Sequence, residues 1–475
     1  MSDSRHYSKK FYDKIFSKVE RQNKTILFLL SALISLILVL ITRDPSFNTT
    51  QDYVLYILFF SIGLWVTEAI PPFAVGILIV GFLVFTMGQI GNMNVNKYIQ
   101  TWSDGVIWLF LGGFFLAEGL KKTKLDVQFL QFTIPKLGDK ASNILLGFMF
   151  ITAVLSMVMS NTATTVMVLA SMAPILYTCQ SSFQKALLLG VAGAASFGGM
   201  GTIIGSAPNA IAVGAIESLG MKISFIEWMV YGVPTALFLT LIFWYILTKK
   251  FDLKNLTLDL SKIHIGKELS SKIKEEKNID KKIVLFTFIT TLLFWLSSEW
   301  TNIPVAAVSG IPIVFLTMMG IIDADDVRSL PWDTLMLVAG GMALGIAVQE
   351  QGLVNHFMGK INGLEINTFS ILFLFAFISV IVSNFMSNTA AVSILLPVGV
   401  SLAAMVPNLD PGILPITIGL CASCALLLPV STPPNAVAHS YGKLDQKDYL
   451  LGGVSMGFIG PILIILWLTL TKIIF

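Results

Sequence analysis

Ser160-Asn161-Thr162 and Ser387-Asn388-Thr389 lie deep inside apolar sequence. Each is followed, after nearly the same interval, by a proline-asparagine turn: Gly205-Ser206-Ala207-Pro208-Asn209 after the first, and Ser431-Thr432-Pro433-Pro434-Asn435 after the second. One such tripeptide carries no information. Two copies in matching context at a constant offset mark an internal repeat with a polar break inside each half.

The offsets agree closely. Ser160 aligns with Ser387, Asn209 with Asn435, and Gly112 with Gly340, each opening a Gly-Gly pair, at a spacing that is constant to within a single position either way. Trp102-Ser103-Asp104 stands opposite Trp332-Asp333, and the stretch Trp65 to Glu68 loosely opposite Trp295 to Glu299. The chain therefore reads as two related halves of about 200 residues. Five segments follow: an N-terminal arm (1–25), a first transmembrane helix (26–42), a first repeat (52–248), a basic linker (249–281) and a second repeat (282–475).

Composition excludes an ordinary soluble protein. Hydrophobic residues make up 55%, charged residues only 12%, and mean hydropathy is +0.80, against a charged fraction of about 25% in soluble domains. Apolar runs long enough to span a bilayer recur, and without the short alternation of a barrel they must be helices, because lipid offers backbone groups no partner. The run from Ile26 has no small-residue cleavage site before Arg43-Asp44-Pro45, so it reads as a retained span. Net charge is +3, which comes from basic loops and indicates no nucleic-acid partner. Cys421 and Cys424 have redox-motif spacing but sit among small apolar residues, as does Gly453-Val454-Ser455-Met456-Gly457, so both suggest helix packing.

Basic residues concentrate in the arm (Lys9, Lys10, Lys14) and in the linker (Lys249, Lys250, Lys262, Lys267, Lys281). The positive-inside rule assigns both to the cytoplasm, which requires an even number of crossings between them. Six segments supply it: 26–42, 52–70, 72–90, a broken 141–178, a broken 185–219 and 228–248. Five per repeat, an odd number, makes the repeats inverted, and five more spans give about eleven and an outside C-terminus. In stretches 103–120 and 332–349 an Asp near the start (Asp104, Asp333) and a Gly-Gly pair midway suggest re-entrant hairpins. Glu68 and Glu299, each a few residues after a tryptophan, suggest interfacial anchors.

No Lys or Arg lies within ten residues of either tripeptide, so positive potential for an anion must come from broken helices. An unwound Ser-Asn-Thr exposes N–H groups at the start of the next half-helix, and Asn161, Thr162, Asn388 and Thr389 add side-chain donors. Two such sites suit a ligand with an anionic group at each end, a dicarboxylate. Carbonyls freed by the same breaks, with Ser156, Asn161, Gly205, Ser383, Asn388 and Ser431, suit a hard cation such as Na⁺. His439, four residues after Asn435, is expected to point back over the turn as a modulatory group. No paired carboxylates or His/Cys cluster point to an enzyme or a cofactor. A proton antiporter should carry a buried carboxylate near the breaks, and residues 155–175 and 382–402 have none.

These motifs resemble the divalent anion:sodium symporter family, including INDY-type dicarboxylate transporters, over nearly the whole chain. The resemblance implies an all-α polytopic membrane protein with two inverted repeats and two re-entrant hairpins, working as a homodimer in the lipid of the plasma membrane by an elevator mechanism. It assigns Ser160, Asn161, Thr162, Ser387, Asn388, Thr389, Thr432 and Pro433 to the substrate. The sodium positions it implies are Ser156, Ser160, Asn161 and Gly205, then Ser383, Asn388 and Ser431. Succinate, malate, fumarate and 2-oxoglutarate are the expected substrate class; citrate, sulfate or an anion channel are the alternatives. Ala207 departs from the pattern, standing where the family has a proline. With His439 it turns the expectation slightly toward dicarboxylate exchange over sodium symport.

Overall fold

A computed structural model describes residues 2–90, 94–133, 137–172, 176, 179–258, 278–353, 356, 367–403 and 409–474. Linker residues 259–277, including Lys262 and Lys267, lie outside the described residues. The helices that matter here are α1 (Ser2–Thr42), α2 (Thr49–Thr67), α3 (Pro72–Gly88), α4 (Gly105–Lys122), α5 (Ala141–Ser156), α6 (Asn161–Ser171), α7 (Ser181–Gly198), α8 (Ala207–Ser218), α9 (Phe225–Lys250), α10 (Asn278–Leu296), α11 (Val305–Met318), α12 (Trp332–Glu350), α13 (Thr368–Phe385), α14 (Asn388–Ala403), α15 (Ile413–Ala422), α16 (Pro433–Ser440) and α17 (Gln446–Ile474). Among the described residues six helices are long and apolar enough to cross a membrane. The chain divides into two units: 1–102 with 333–362, and 103–332 with 363–475.

In the first unit the polar arm continues without interruption into the first apolar helix, so α1 is one helix of 41 residues. Trp65 is buried, and its indole Nε1 donates to Pro72 O at 3.4 Å, clipping α2 to α3. Glu68 closes α2 in the left-handed conformation (φ 49°). Gly340 of α12 meets the α3 backbone: a Cβ there would stand 2.2 Å from Gly76 Cα.

Those contacts correct the expected hairpins. Helices α4 and α12 run unbroken through Gly112-Gly113 and Gly340-Gly341, and both qualify as spans. In the second unit a Cβ at Gly112 would stand 2.7 Å from Ser309 Cβ of α11. The glycines allow close helix approach and interrupt nothing. Asp104 does cap α4, accepting from Val106 N at 2.9 Å.

The hairpins lie at the Ser-Asn-Thr motifs instead. Helix α5 has 16 residues and α6 has 11, about 24 and 17 Å at 1.5 Å per residue, both short of a roughly 30 Å core. Gly190 of α7 sits against Leu145 and Met149 of α5, Gly198 against Ala153, and Gly201 against Met157. Residue numbers rise together, so α5 and α7 are parallel, and the chain between them must return to the side it came from. In the second half Ser379 Oγ donates to Ile418 O (2.8 Å) and Leu427 N to Asn384 Oδ1 (2.8 Å), again a parallel pair, α13 and α15. Gly399 of the returning arm α14 lies beside Phe375 of α13. Each half thus trades one expected hairpin for a span and one expected span for a hairpin, so crossing parity is unchanged.

Inversion of the repeats is visible in the helices that end them. Pro234 of α9 and Pro461 of α17 stand at the repeat offset from one another. Trp467 Nε1 donates to Val230 O at 2.9 Å, while Gly460 lies near Leu239. As numbers rise on α9 they fall on α17, so these equivalent helices are antiparallel. Helices α4, α10 and α11 share a core of Phe115, Leu120, Val284 and Leu316. Trp295, also buried, donates to Val305 O at 3.3 Å and clips α10 to α11, as Trp65 does in the first unit. The described start of the linker folds onto the first hairpin: Ala141 N donates to Leu256 O at 2.9 Å and Leu258 N to Asp139 O at 2.8 Å.

Candidate functional site

The first tip forms because Ser160 leaves the helical conformation (φ −62°, ψ 141°) and its Oγ accepts from Ala163 N at 3.2 Å, capping α6. Ser387 Oγ does the same for Ala390 N at 3.2 Å, after Met386 has gone extended (φ −140°, ψ 174°). A capping serine satisfies one orphan N–H of each new helix, and the neighbouring donors remain at a positive helix end. Asn161 and Asn388 open helices α6 and α14, with Thr162 and Thr389 second; all four are half-buried.

Each tip rests on the break of its own half. Between α7 and α8 the chain makes two single-turn helices (Gly199–Gly201, Ile203–Gly205), and a Cβ at Gly199 would strike the Asn161 amide. Thr202 Oγ1 bridges, donating to Met157 O in the hairpin tip and accepting from Gly205 N at 3.1 Å. Gly205 is enclosed: a Cβ there would meet the carbonyl oxygens of Gly199, Ser156 and Met157 at 2.7, 3.0 and 3.1 Å. In the second half Ser431 Oγ donates to Leu428 O at 2.8 Å, and Thr432 caps α16 by accepting from Asn435 N at 3.3 Å.

The turn asparagines are functional parts that sequence reading quoted but gave no role. Asn209 Nδ2 donates to Gly199 O and Thr202 O, both at 2.7 Å, and Asn435 Nδ2 donates to Leu428 O at 3.0 Å and to Ser431 Oγ at 3.3 Å. Thr202 and Leu428 are separated by the same interval as Asn209 and Asn435, so one peg holds both breaks open. The repeat offset itself was the signal. Beyond each break, the returning arms cross over: α6 packs on α16, and α14 packs on α8.

The expected cation ligands group into two sets. In the first, Ser156 Oγ gives its one proton to Ala195 O at 2.7 Å. The Asn161 amide satisfies these oxygens when its nitrogen faces them, 2.7 Å from Ser156 Oγ and 3.2 Å from both Gly205 O and Ala195 O. In the second, Ser383 Oγ and Asn388 Oδ1 are buried with no hydrogen-bond partner. Unpaired neutral oxygens in the second set fit a hard monovalent cation, and the first set fits one when the Asn161 amide turns its oxygen inward. Ser160 and Pro433 are exposed, whereas Thr432 is buried.

His439 does not reach back over the turn. It is exposed in the last turn of the eight-residue α16, its ring edge-on to Tyr449 at 5.9 Å. Tyr449 Oη donates to Asn435 O at 3.1 Å, so the tyrosine is the neighbour that touches the turn. Gly453 presses on Leu427, where a Cβ would stand 2.2 Å from Cα, and Cys424 presses on Gly460. Both motifs are helix packing.

Comparison with known proteins agrees with this geometry. The family described as "Sodium:sulfate symporter transmembrane region" matches residues 22–474. A protein named sodium-dependent dicarboxylate transporter SdcS from Staphylococcus saprophyticus is 30% identical, covering 96% of this chain and 93% of its own. Its namesake in Staphylococcus aureus is 29% identical, covering 96% and 94%. The solved structure of Neisseria gonorrhoeae MtrF shares the fold alone, with TM-score 0.57 at 10% identity over 86% of this chain and 96% of that one. With its duplicated tips and breaks and a family match over almost its full length, this chain belongs to the divalent anion:sodium symporters and is a multi-pass membrane transporter, not an enzyme.

Proposed function

We propose that the protein is a sodium-coupled transporter of four- to five-carbon dicarboxylates, the succinate, malate, fumarate and 2-oxoglutarate class, across the plasma membrane. The observation that carries this reading is the pair of capped hairpin tips, each seated on its own break and each with its returning arm on the other half's turn helix. The starts of the two returning arms, α6 and α14, then present N–H groups at symmetry-related places, and a dianion with its charges at opposite ends matches two such helix ends. The relatives are named as sodium-dependent dicarboxylate transporters, which supports the same pairing here.

Symport is favoured over exchange. The expectation of exchange leaned on Ala207 together with His439, and His439 is exposed in the last turn of α16, edge-on to Tyr449. Oxygen sets that lack or share a partner support cation binding instead. Ser156, Asn161 and Gly205 would hold one sodium, and Ser383, Asn388 and Ser431 the other, each adding a positive charge that offsets the ligand's.

An elevator movement within a homodimer, with the N-terminus cytoplasmic and the C-terminus outside, completes the reading. Inside the second unit α4, α10 and α11 form their own packed group, which supports separate motion of the hairpin bundle. Radiolabelled succinate uptake into proteoliposomes tests the function. Uptake driven by an inward Na⁺ gradient into an empty lumen is expected; uptake that needs preloaded dicarboxylate and ignores Na⁺ overturns symport. Competition by sulfate but not by fumarate overturns the substrate class.

A further inference from the structure

The two breaks are equivalent in sequence but not in how their oxygens are satisfied. In the first half Ser156 Oγ, Ala195 O and Gly205 O all face the Asn161 amide nitrogen. That cluster is closed on itself. In the second half Ser383 Oγ and Asn388 Oδ1, each at the repeat offset from its twin, have no partner, and neither has Ser423 Oγ.

Ser423 lies outside both motifs. Ser383 and Ser423 are 0% exposed, and the pairings of Ser379 with Ile418 and Asn384 with Leu427 turn Ser383 toward the stretch that contains Ser423. Its counterpart in the first half, Ser196, instead donates to Ala192 O of its own helix at 3.2 Å. Hydrogen bonding therefore leaves Ser383, Asn388 and Ser423 of the second half unanswered, whereas their first-half counterparts are all engaged and unpartnered oxygens there lie elsewhere, Thr164 Oγ1 on α6 and Asn209 Oδ1 on the turn peg.

We propose that the second-half site, with Ser423 as an added oxygen ligand, takes sodium first, and that the first-half site takes it only once the Asn161 amide turns over to present its oxygen. This inference rests on the sodium-coupled reading. The physical reason is the starting state: a buried oxygen without a partner is raised in free energy and gains the full interaction when a cation arrives. At the first site the cation must displace an amide nitrogen whose two N–H groups already have three oxygens in reach, so its gain is smaller. Asn161 is thereby a positioning residue as well as a ligand, and the two sites differ in affinity by roughly tenfold or more.

Equilibrium sodium titration of the purified full chain in lipid nanodiscs, without dicarboxylate and at constant ionic strength with choline, tests this by calorimetry and by tryptophan fluorescence. Two classes of site are expected. Ser423→Ala should weaken the tight class roughly tenfold and leave the weak one, Ser423→Thr should restore it, and Asn161→Asp, which removes the N–H donors, should bring the classes together. A single class in the wild type, or a tight class indifferent to Ser423→Ala, overturns the proposal. Sodium-driven succinate uptake measured on the same preparation separates the two failures: uptake with one class of site sinks only this inference, whereas no sodium effect on uptake or binding sinks the symport reading as well.

Discussion

The Gly-Gly pairs and the Ser-Asn-Thr motifs are both duplicated, both interrupt apolar runs, and behave in opposite ways. At Gly112 and Gly340 the helix runs on and a neighbouring helix moves in against it. At Ser160 and Ser387 the helix stops, and side chains take over the hydrogen bonds it abandons. A helix in lipid ends where replacements for its backbone partners are supplied, and small residues alone supply none.

Gly340→Val should break the first half of that comparison most severely. Its Cβ would stand 2.2 Å from the α3 backbone, which cannot shift as a side chain can, and a loss of several kcal/mol should abolish recovery of folded protein in detergent chromatography. Gly345→Ala, one turn further along with open space around it, should be silent in the same assay. Equal yields from both would mean that α12 does not use its glycines for packing.

Asn161→Ala or Asn388→Ala should lower succinate uptake at least a hundredfold, about 2.7 kcal/mol, with normal elution of the folded protein. Survival of uptake in both would detach the tips from transport. Asn209→Ala and Asn435→Ala probe the breaks: each removes a donor to two acceptors, for about 1–3 kcal/mol, read as lower thermal stability. The smallest effects sharpen the contrast between turns. Thr432→Ala deletes a cap bond worth about 1 kcal/mol, whereas Ser206 makes no side-chain cap bond and Ser206→Ala should leave the unfolding temperature almost unmoved.

The repeat, the two breaks and their turn residues were legible in the sequence because their chemistry is local: a serine caps the helix that follows it, and a proline stops the one before. Hairpin placement was not. Whether Gly-Gly bends a helix or admits a neighbour depends on Ser309 or Gly76, residues far away in the chain. His439 failed for a related reason, since only the length of α16 and the position of Tyr449 decide where it points. The tryptophans ahead of Glu68 and Glu299 carried no sign of their role as clips, which burial and the bonds to Pro72 O and Val305 O reveal. Ser423 had no signal at all, because its distinction is a missing partner.

The crossing of the returning arms, α6 onto α16 and α14 onto α8, decides who owns the site. On the proposed reading, neither half of the chain holds a complete one. A chain cut in the linker would leave each fragment holding one hairpin arm with no surface to lie on, and only co-expression of both would restore binding. A single-repeat version of this protein would have to enter the bilayer in both orientations and pair with its own inverted copy before it could hold any substrate.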